Sequence, residues 1–189
     1  MHVDTGQSAA TDQQLVESLR QGSREALEQI YTRYRDRLCN YAYRLVGDRD
    51  RVDDVVHETF IKVWSNIGRL NDTSSFRSWL FAIARNEALL QLRDRKPFEE
   101  LNDETTPESD DPLSALISNE LSGSVTGLLD ALRPSYKELI VLKVYEALTY
   151  AEIASVTGLS LSAVRVHLYR ARKALAALYD KHCGDKHVG

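Results

Sequence analysis

A chain of 189 residues with 43% apolar and 28% charged side chains has the composition of a folded soluble protein, and no apolar run nears the roughly 18 residues of a membrane span. Four prolines, nine glycines and two cysteines exclude a turn-rich β protein and a disulfide framework, leaving a mostly helical protein suited to a reducing cytoplasm. The net charge of −4 is uneven: residues 1–95 hold 14 basic and 14 acidic groups, residues 96–133 hold 2 and 9, and residues 134–189 hold 8 and 5. A neutral block, an acidic strip and a basic block predict two small domains, 11–96 and 113–183, joined by a flexible acidic linker at 97–112.

In chain order, residues 1–10 lack the basic start and apolar stretch of a signal peptide. Asp12 is placed to cap a short helix carrying Leu15, Val16 and Leu19, ended by Gly22. Ser23 opens a longer helix in which Leu27, Ile30, Tyr31, Tyr34, Leu38, Tyr41 and Leu45 recur every three or four residues up to Gly47. A third helix puts Val52, Val55, Val56, Phe60, Val63, Trp64 and Ile67 on one face. After a polar loop at 69–75, Phe76, Trp79, Leu80, Ile83 and Ala84 form the apolar face of a fourth, which stops before Pro97. Four such helices with short connections predict a bundle with one core.

Residues 98–111 carry seven acids and no base, so they should lack a core. Residues 113–132 read as helical, weakened by Gly123 and Gly127. Ser135 with Glu138, and Thr149 with Glu152, have capping-box spacing. A short helix at 150–156, the turn Thr157-Gly158-Leu159-Ser160 and a long helix from Leu161 to about Tyr179 match a helix-turn-helix, whose second helix enters the DNA major groove. Val164, Leu168, Ala171, Leu175 and Leu178 form its buried face, while Ser162, Arg165, Val166 and Tyr169 share another. Arg165, Arg170, Arg172 and Lys173 stand in an acid-free stretch, the asymmetry that phosphate neutralisation requires. An ordinary helical hairpin with a solvated basic face has the same spacing.

On the fourth helix Arg77, Trp79, Phe81, Arg85 and Asn86 interleave aromatic and basic groups, a pattern suited to unstacked single-stranded bases. Trp79 is read as core; Phe81 and Arg85, four apart and off the apolar stripe, are read as exposed. On the third helix Asp53, Asp54, His57 and Glu58 lie opposite the valines, and a partner-binding or solvated face is preferred to a metal site. His182, Cys183 and His187 are read as a frayed tail. Neither a phosphate-binding glycine loop nor a nucleophile elbow is present in the sequence, so neither catalysis nor a cofactor is expected.

The run Asp53-Asp54-Val55-Val56-His57-Glu58-Thr59-Phe60-Ile61-Lys62-Val63-Trp64 resembles region two of the extracytoplasmic-function sigma factors. So does Phe76-Arg77-Ser78-Trp79-Leu80-Phe81-Ala82-Ile83-Ala84-Arg85-Asn86. Thr149-Tyr150-Ala151-Glu152-Ile153-Ala154, Ser162-Ala163-Val164-Arg165 and Tyr169-Arg170-Ala171-Arg172 resemble region four. The resemblance implies an all-α, two-domain subunit of bacterial RNA polymerase that selects promoters, assists melting and is controlled by an anti-sigma factor. It implies that Asp53, Asp54, His57 and Glu58 grip the core polymerase. Asn71, Thr73, Ser74, Arg77, Phe81, Arg85 and Asn86 would hold the −10 element. Ser162, Arg165, Val166, Tyr169, Arg170, Arg172 and Lys173 would serve the −35 element. His57, Leu90, Val166 and His167 depart from the family pattern. Rival readings are an operator-binding regulator that works without polymerase, and a helical adaptor that binds only proteins.

Overall fold

The computed structural model describes residues 10–92 and 127–184, and every regular element among them is helical. The acidic strip and most of the helix expected over 113–132 lie outside the described residues, as do the side chains of His182, Cys183 and His187. Residues 127–130 form a helical turn.

Helix α1 (Asp12–Arg20) is capped by Thr11 rather than Asp12. The Thr11 hydroxyl accepts from the Gln14 N–H at 3.3 Å, and the Gln14 side chain accepts from the Thr11 N–H at 2.9 Å. Asp12 is thereby free to pair with Arg33 at 2.5 Å and to accept from the Tyr34 hydroxyl, which ties α1 to the next helix. That helix, α2 (Arg24–Val46), starts at Ser23 and ends where Gly47 turns left-handed at φ 71°. Helix α3 (Arg49–Asn66) starts at Asp48 and runs into a 3-10 turn, Ile67–Arg69. Asp72 caps a second 3-10 turn, Thr73–Ser75, which feeds α4 (Phe76–Leu92).

In the second domain α5 (Pro134–Ile140) widens into a π turn, Val141–Tyr145, closed by Glu146 N–H to Val141 carbonyl at 3.1 Å. The box expected between Ser135 and Glu138 does not form. Pro134 occupies the first helical position, so Arg133 becomes the cap residue, and Ser135 already lies inside the helix. The box between Thr149 and Glu152 does form and opens α6 (Tyr150–Thr157). Gly158, at φ 77°, makes the turn into α7 (Leu161–Gly184).

The apolar stripes of α1–α4 meet in one core built on Ile30, Tyr34, Leu38, Tyr41, Val63, Phe76 and Leu80. This core does not stop at the domain boundary. Leu139, Leu142, Leu148, Ile153, Val164 and Leu168 of the second domain belong to the same buried cluster. A smaller cluster of Leu129, Leu132, Tyr136, Ile140 and Ala171 lies within the second domain, with Leu175 and Leu178 against it. Among the described residues the two domains thus share their main core.

The turn between α6 and α7 makes a direct test of local geometry. A Cβ at position 158 would meet nothing within 4 Å, so only backbone strain opposes it. Gly158→Ala and Thr149→Ala should each lower the unfolding free energy by about 1 kcal/mol in a denaturant titration, through the left-handed turn and the lost cap respectively.

Candidate nucleic-acid interface

Three surfaces carry the residues singled out by the sequence. The first is the outer face of α3. Burial of Val52, Val55, Val56, Phe60 and Val63 turns Asp53, Asp54, His57 and Glu58 to solvent. Trp64, expected on the valine face, is instead 40% exposed, beside Ile61 at 45%. Positions 54, 57, 58, 61 and 64 follow helical spacing, so acidic and apolar groups form one stripe. Tyr31, also exposed, borders it with its ring centroid 4.8 Å from that of Phe60. Such a mixed surface suits a protein partner. Ile61 was legible only as part of an apolar run, because periodicity alone assigns a helix one apolar face.

The second surface combines α4 with the loop before it. Asp72 fixes this loop by accepting from Ser74 N–H at 2.9 Å and from the Ser74 hydroxyl at 2.6 Å, which holds its carboxyl below the usual range. Asn71 and Ser74 are exposed and Thr73 is half-buried. Thr73, Ser74, Phe76 and Arg77 line an open cleft of about 460 Å³, completed by Asp12, Arg33, Tyr34 and Arg37. Burial, and then the bond to Asp12, push the Tyr34 phenol upward, so it stays a donor. The other end of the surface departs from expectation. Phe81 is fully buried, edge-on to Tyr41 at 5.3 Å between centroids. Its side of α4 faces α2, from which the Arg37 guanidinium also lies over the ring at 5.8 Å. Trp79 is half-buried against the core and Asn86 is exposed.

The arginines of α4 are likewise engaged. The Arg85 Nε donates to Glu138 Oε1 at 2.8 Å, and the Tyr41 hydroxyl donates to the same oxygen at 2.8 Å. Arg77 donates to the Glu146 carbonyl at 2.6 Å, and Arg37 pairs with the Glu146 carboxylate at 2.8 Å. Burial raises the Glu146 carboxyl above its ordinary range, against the pull of Arg37, Arg77 and Arg44. Glu138 was read only as a capping partner of Ser135, and Glu146 was not singled out. The available signal was an acid inside the run from Tyr136 to Tyr145 and a second acid closing it.

The third surface is α7. Ser162, Arg165 and Lys173 are exposed, and Val166, Tyr169 and Arg170 are half-buried along the same side. Val164, Leu168 and Ala171 are buried as expected. Arg172 is not on the open face. It is 8% exposed, with a guanidinium nitrogen 3.4 Å from the Tyr150 hydroxyl, because its place on the helix faces α6. His167 is also buried, its ring 6.5 Å from that of Tyr136. Among the described residues no group of three or more His, Cys, Asp or Glu could hold a metal ion, and no helix is long and apolar enough to cross a membrane.

A model of sigma-70 region 2 matches residues 30–98, and one of sigma-70 region 4 matches residues 122–175. The ECF RNA polymerase sigma-E factor of Haemophilus influenzae is 31% identical over 182 residues, covering 87% of this chain and 93% of that protein. This chain belongs to the extracytoplasmic-function sigma factor family. The RNA polymerase sigma-H factor of Pseudomonas aeruginosa is 29% identical, covering 87% of this chain and 91% of its own length. The solved structure of CnrH in complex with the cytosolic domain of CnrY shares 29% identity, with a TM-score of 0.68 over 90% of this sigma factor and 97% of CnrH. The helix-turn-helix of α6 and α7 therefore falls in the region-four match, and the region-two match runs from within α2 through α4.

Phe81 separates a surface role from a packing role. Its full burial predicts that Phe81→Ala lowers the unfolding free energy of this sigma factor by about 3–5 kcal/mol in a denaturant titration. A base-stacking residue on an open surface would cost far less.

Proposed function

We propose that this sigma factor joins core RNA polymerase through the α3 stripe, with Asp53, Asp54, His57 and Glu58 as its polar part. The α4 surface and its loop then hold the −10 element and assist melting. The α7 face of Ser162, Arg165, Val166 and Tyr169 reads the −35 element, with Arg170 and Lys173 toward phosphates. Region two spans 11–96 and region four 113–183, with the acidic stretch 97–112 between them. The chain acts by binding, without catalysis, cofactor or metal. The observation that carries this reading is the division of α7: Val164 and Leu168 are buried while Ser162 and Arg165, one turn into the helix, stand in solvent. That is the placement a base-reading helix needs. Arg172 is better read as packing α7 on α6 than as a phosphate contact. CnrH was solved in complex with the cytosolic domain of CnrY, and for this chain the protein partner proposed is an anti-sigma factor.

The test is co-purification with core polymerase followed by run-off transcription from fragmented genomic DNA. Defined start sites that require the chain support the reading. Tight operator binding without core would favour a stand-alone regulator.

Reversing charge at Asp53→Lys and Asp54→Lys should abolish co-purification with core. Both residues are exposed, so the cost in stability should stay within about 0.5 kcal/mol. Normal assembly of the double variant would remove the α3 stripe from the interface. Arg165→Ala should relax selection at one −35 position. A bidentate guanine contact is worth about 1–3 kcal/mol of discrimination, whereas Lys173→Ala should weaken all promoters alike. Unchanged base preference in a −35 substitution series would refute that placement of Arg165.

A further inference from the structure

Leu161 is the first residue of α7, and it is 43% exposed. Leu159, two residues earlier in the turn, is packed against the main core instead. The start of α7 is held firmly around Leu161. The Ser160 hydroxyl accepts from the Ala163 N–H at 3.2 Å and the Ser160 carbonyl from the Val164 N–H at 3.0 Å. The same hydroxyl lies 3.1 Å from that of Ser162. Burial of Ala163, Val164, His167 and Leu168 then fixes which side of the helix faces out. At about 100° per residue, Arg165 follows Leu161 one turn on, about 40° around the axis and about 6 Å along it. Tyr169 continues the row, with Ser162 and the half-buried Val166 beside it. A lone exposed leucine needs no explanation, since single apolar side chains are common on surfaces. Leu161 is set apart by its place, at the head of the row Leu161, Arg165, Tyr169, where a recognition helix meets base edges.

We propose that Leu161 reads a thymine of the −35 element through its 5-methyl group, within about two base pairs of the position that Arg165 takes. The proposal rests on the assignment of α7 to the −35 element made above and adds a residue to it. The chemistry of the groove leaves one choice. Every base pair offers hydrogen-bonding groups on its major-groove edge, but only thymine offers an apolar one, its C5 methyl. A leucine side chain has neither donor nor acceptor. Pressed against guanine N7 and O6, adenine N7 and N6, or cytosine N4, it strips water from those groups and returns no hydrogen bond. Against the thymine methyl it removes apolar surface of both partners from water. Leu161 therefore selects twice, by attraction to one base and by a penalty on the other three. Spacing relates the two contacts, because the rise of about 6 Å from Leu161 to Arg165 is roughly two base-pair steps of 3.4 Å. Val166 is the weaker candidate for such a contact, since part of its side chain is already covered.

The experiment compares thymine with uracil, which differ only in that methyl group. A promoter taken from the run-off transcripts is rebuilt as a pool of duplexes randomised over its −35 segment. Two versions of the pool carry either thymine or uracil in that segment alone. Duplexes retained by core polymerase loaded with the full-length chain are then sequenced. With the wild type, thymine should be enriched at one position close to the guanine selected through Arg165. That enrichment should fall about fourfold in the uracil pool, the value of burying one methyl group. Leu161→Ala should lose the difference between the pools while keeping the guanine preference. Leu161→Met, which keeps an apolar reach, should retain the difference. Equal enrichment of thymine and uracil at every position would overturn the proposal, and so would a methyl dependence that survives in Leu161→Ala. A pool with no −35 base preference at all would bring down the assignment of α7 and the proposal with it. A guanine preference that Arg165→Ala removes, with indifference to the methyl group throughout, would refute the role of Leu161 alone.

Discussion

The arrangement of the two domains depends on one buried carboxylate. Glu138 is 2% exposed, and an ion so placed costs several kcal/mol of desolvation unless it is paired and hydrogen-bonded. The structure meets that demand from two helices of the other domain, α2 through the Tyr41 hydroxyl and α4 through Arg85, both on one oxygen. Burial, and then the charge of Glu138, push the Tyr41 phenol well above its ordinary range, so it remains a donor. Satisfying this one group sets the position of α5 against α2 and α4. Glu146, reached by Arg37 from α2 and by Arg77 from α4, repeats the arrangement a few residues on, after the π turn. Helix α6, which follows, is thereby laid along α4.

That dependence explains what could be read from the sequence. Helices α2–α4, α6 and α7 follow from a 3.6-residue apolar period and local stops such as Gly47 and Gly158, because those signals are short-range. The exposed acids of α3 and the open N-terminal face of α7 follow by elimination, being the sides opposite the stripes. What failed depended on neighbours that spacing along one helix does not reveal. Phe81 lies off the apolar stripe read for α4 and therefore looked exposed, yet Tyr41 and Arg37 of α2 meet it there. Ser135 and Glu138 have capping spacing, but spacing does not reveal that Pro134 moves the cap to Arg133. Arg172 resembles its basic neighbours in sequence and differs from them only in facing Tyr150. Trp64 failed for a different reason: Val63 and Ile67, four apart, carry the buried line at the end of α3, and Trp64 falls to one side of that line, exposed beside Ile61.

An ionic seam is a poor device for holding two domains together permanently. Buried pairs of this kind can often be replaced by apolar groups with no loss of stability, and sometimes with a gain. Their advantage appears when the contact must open. Leu139, Leu142 and Leu148 favour closure by burying apolar area, while the two glutamates and three arginines restrict closure to one orientation and lower the cost of leaving it. The same chain can thus be well packed when alone and separable when another surface competes for its parts.

The stripe of Asp53, Asp54, His57 and Glu58 lies on the outer side of α3, away from the valines, so it is open while the two domains are packed together. A partner that takes this stripe need not first break the contacts of Glu138 and Glu146, whereas one that needs the guanidinium of Arg77 or Arg85 must. Where only a fraction of molecules is open, the apparent affinity of a ligand for such covered groups falls by that fraction, and each ~1.4 kcal/mol of closure corresponds to a factor of ten. The outer face of α3 carries no such penalty, because its acids are turned to solvent by the burial of the valines alone.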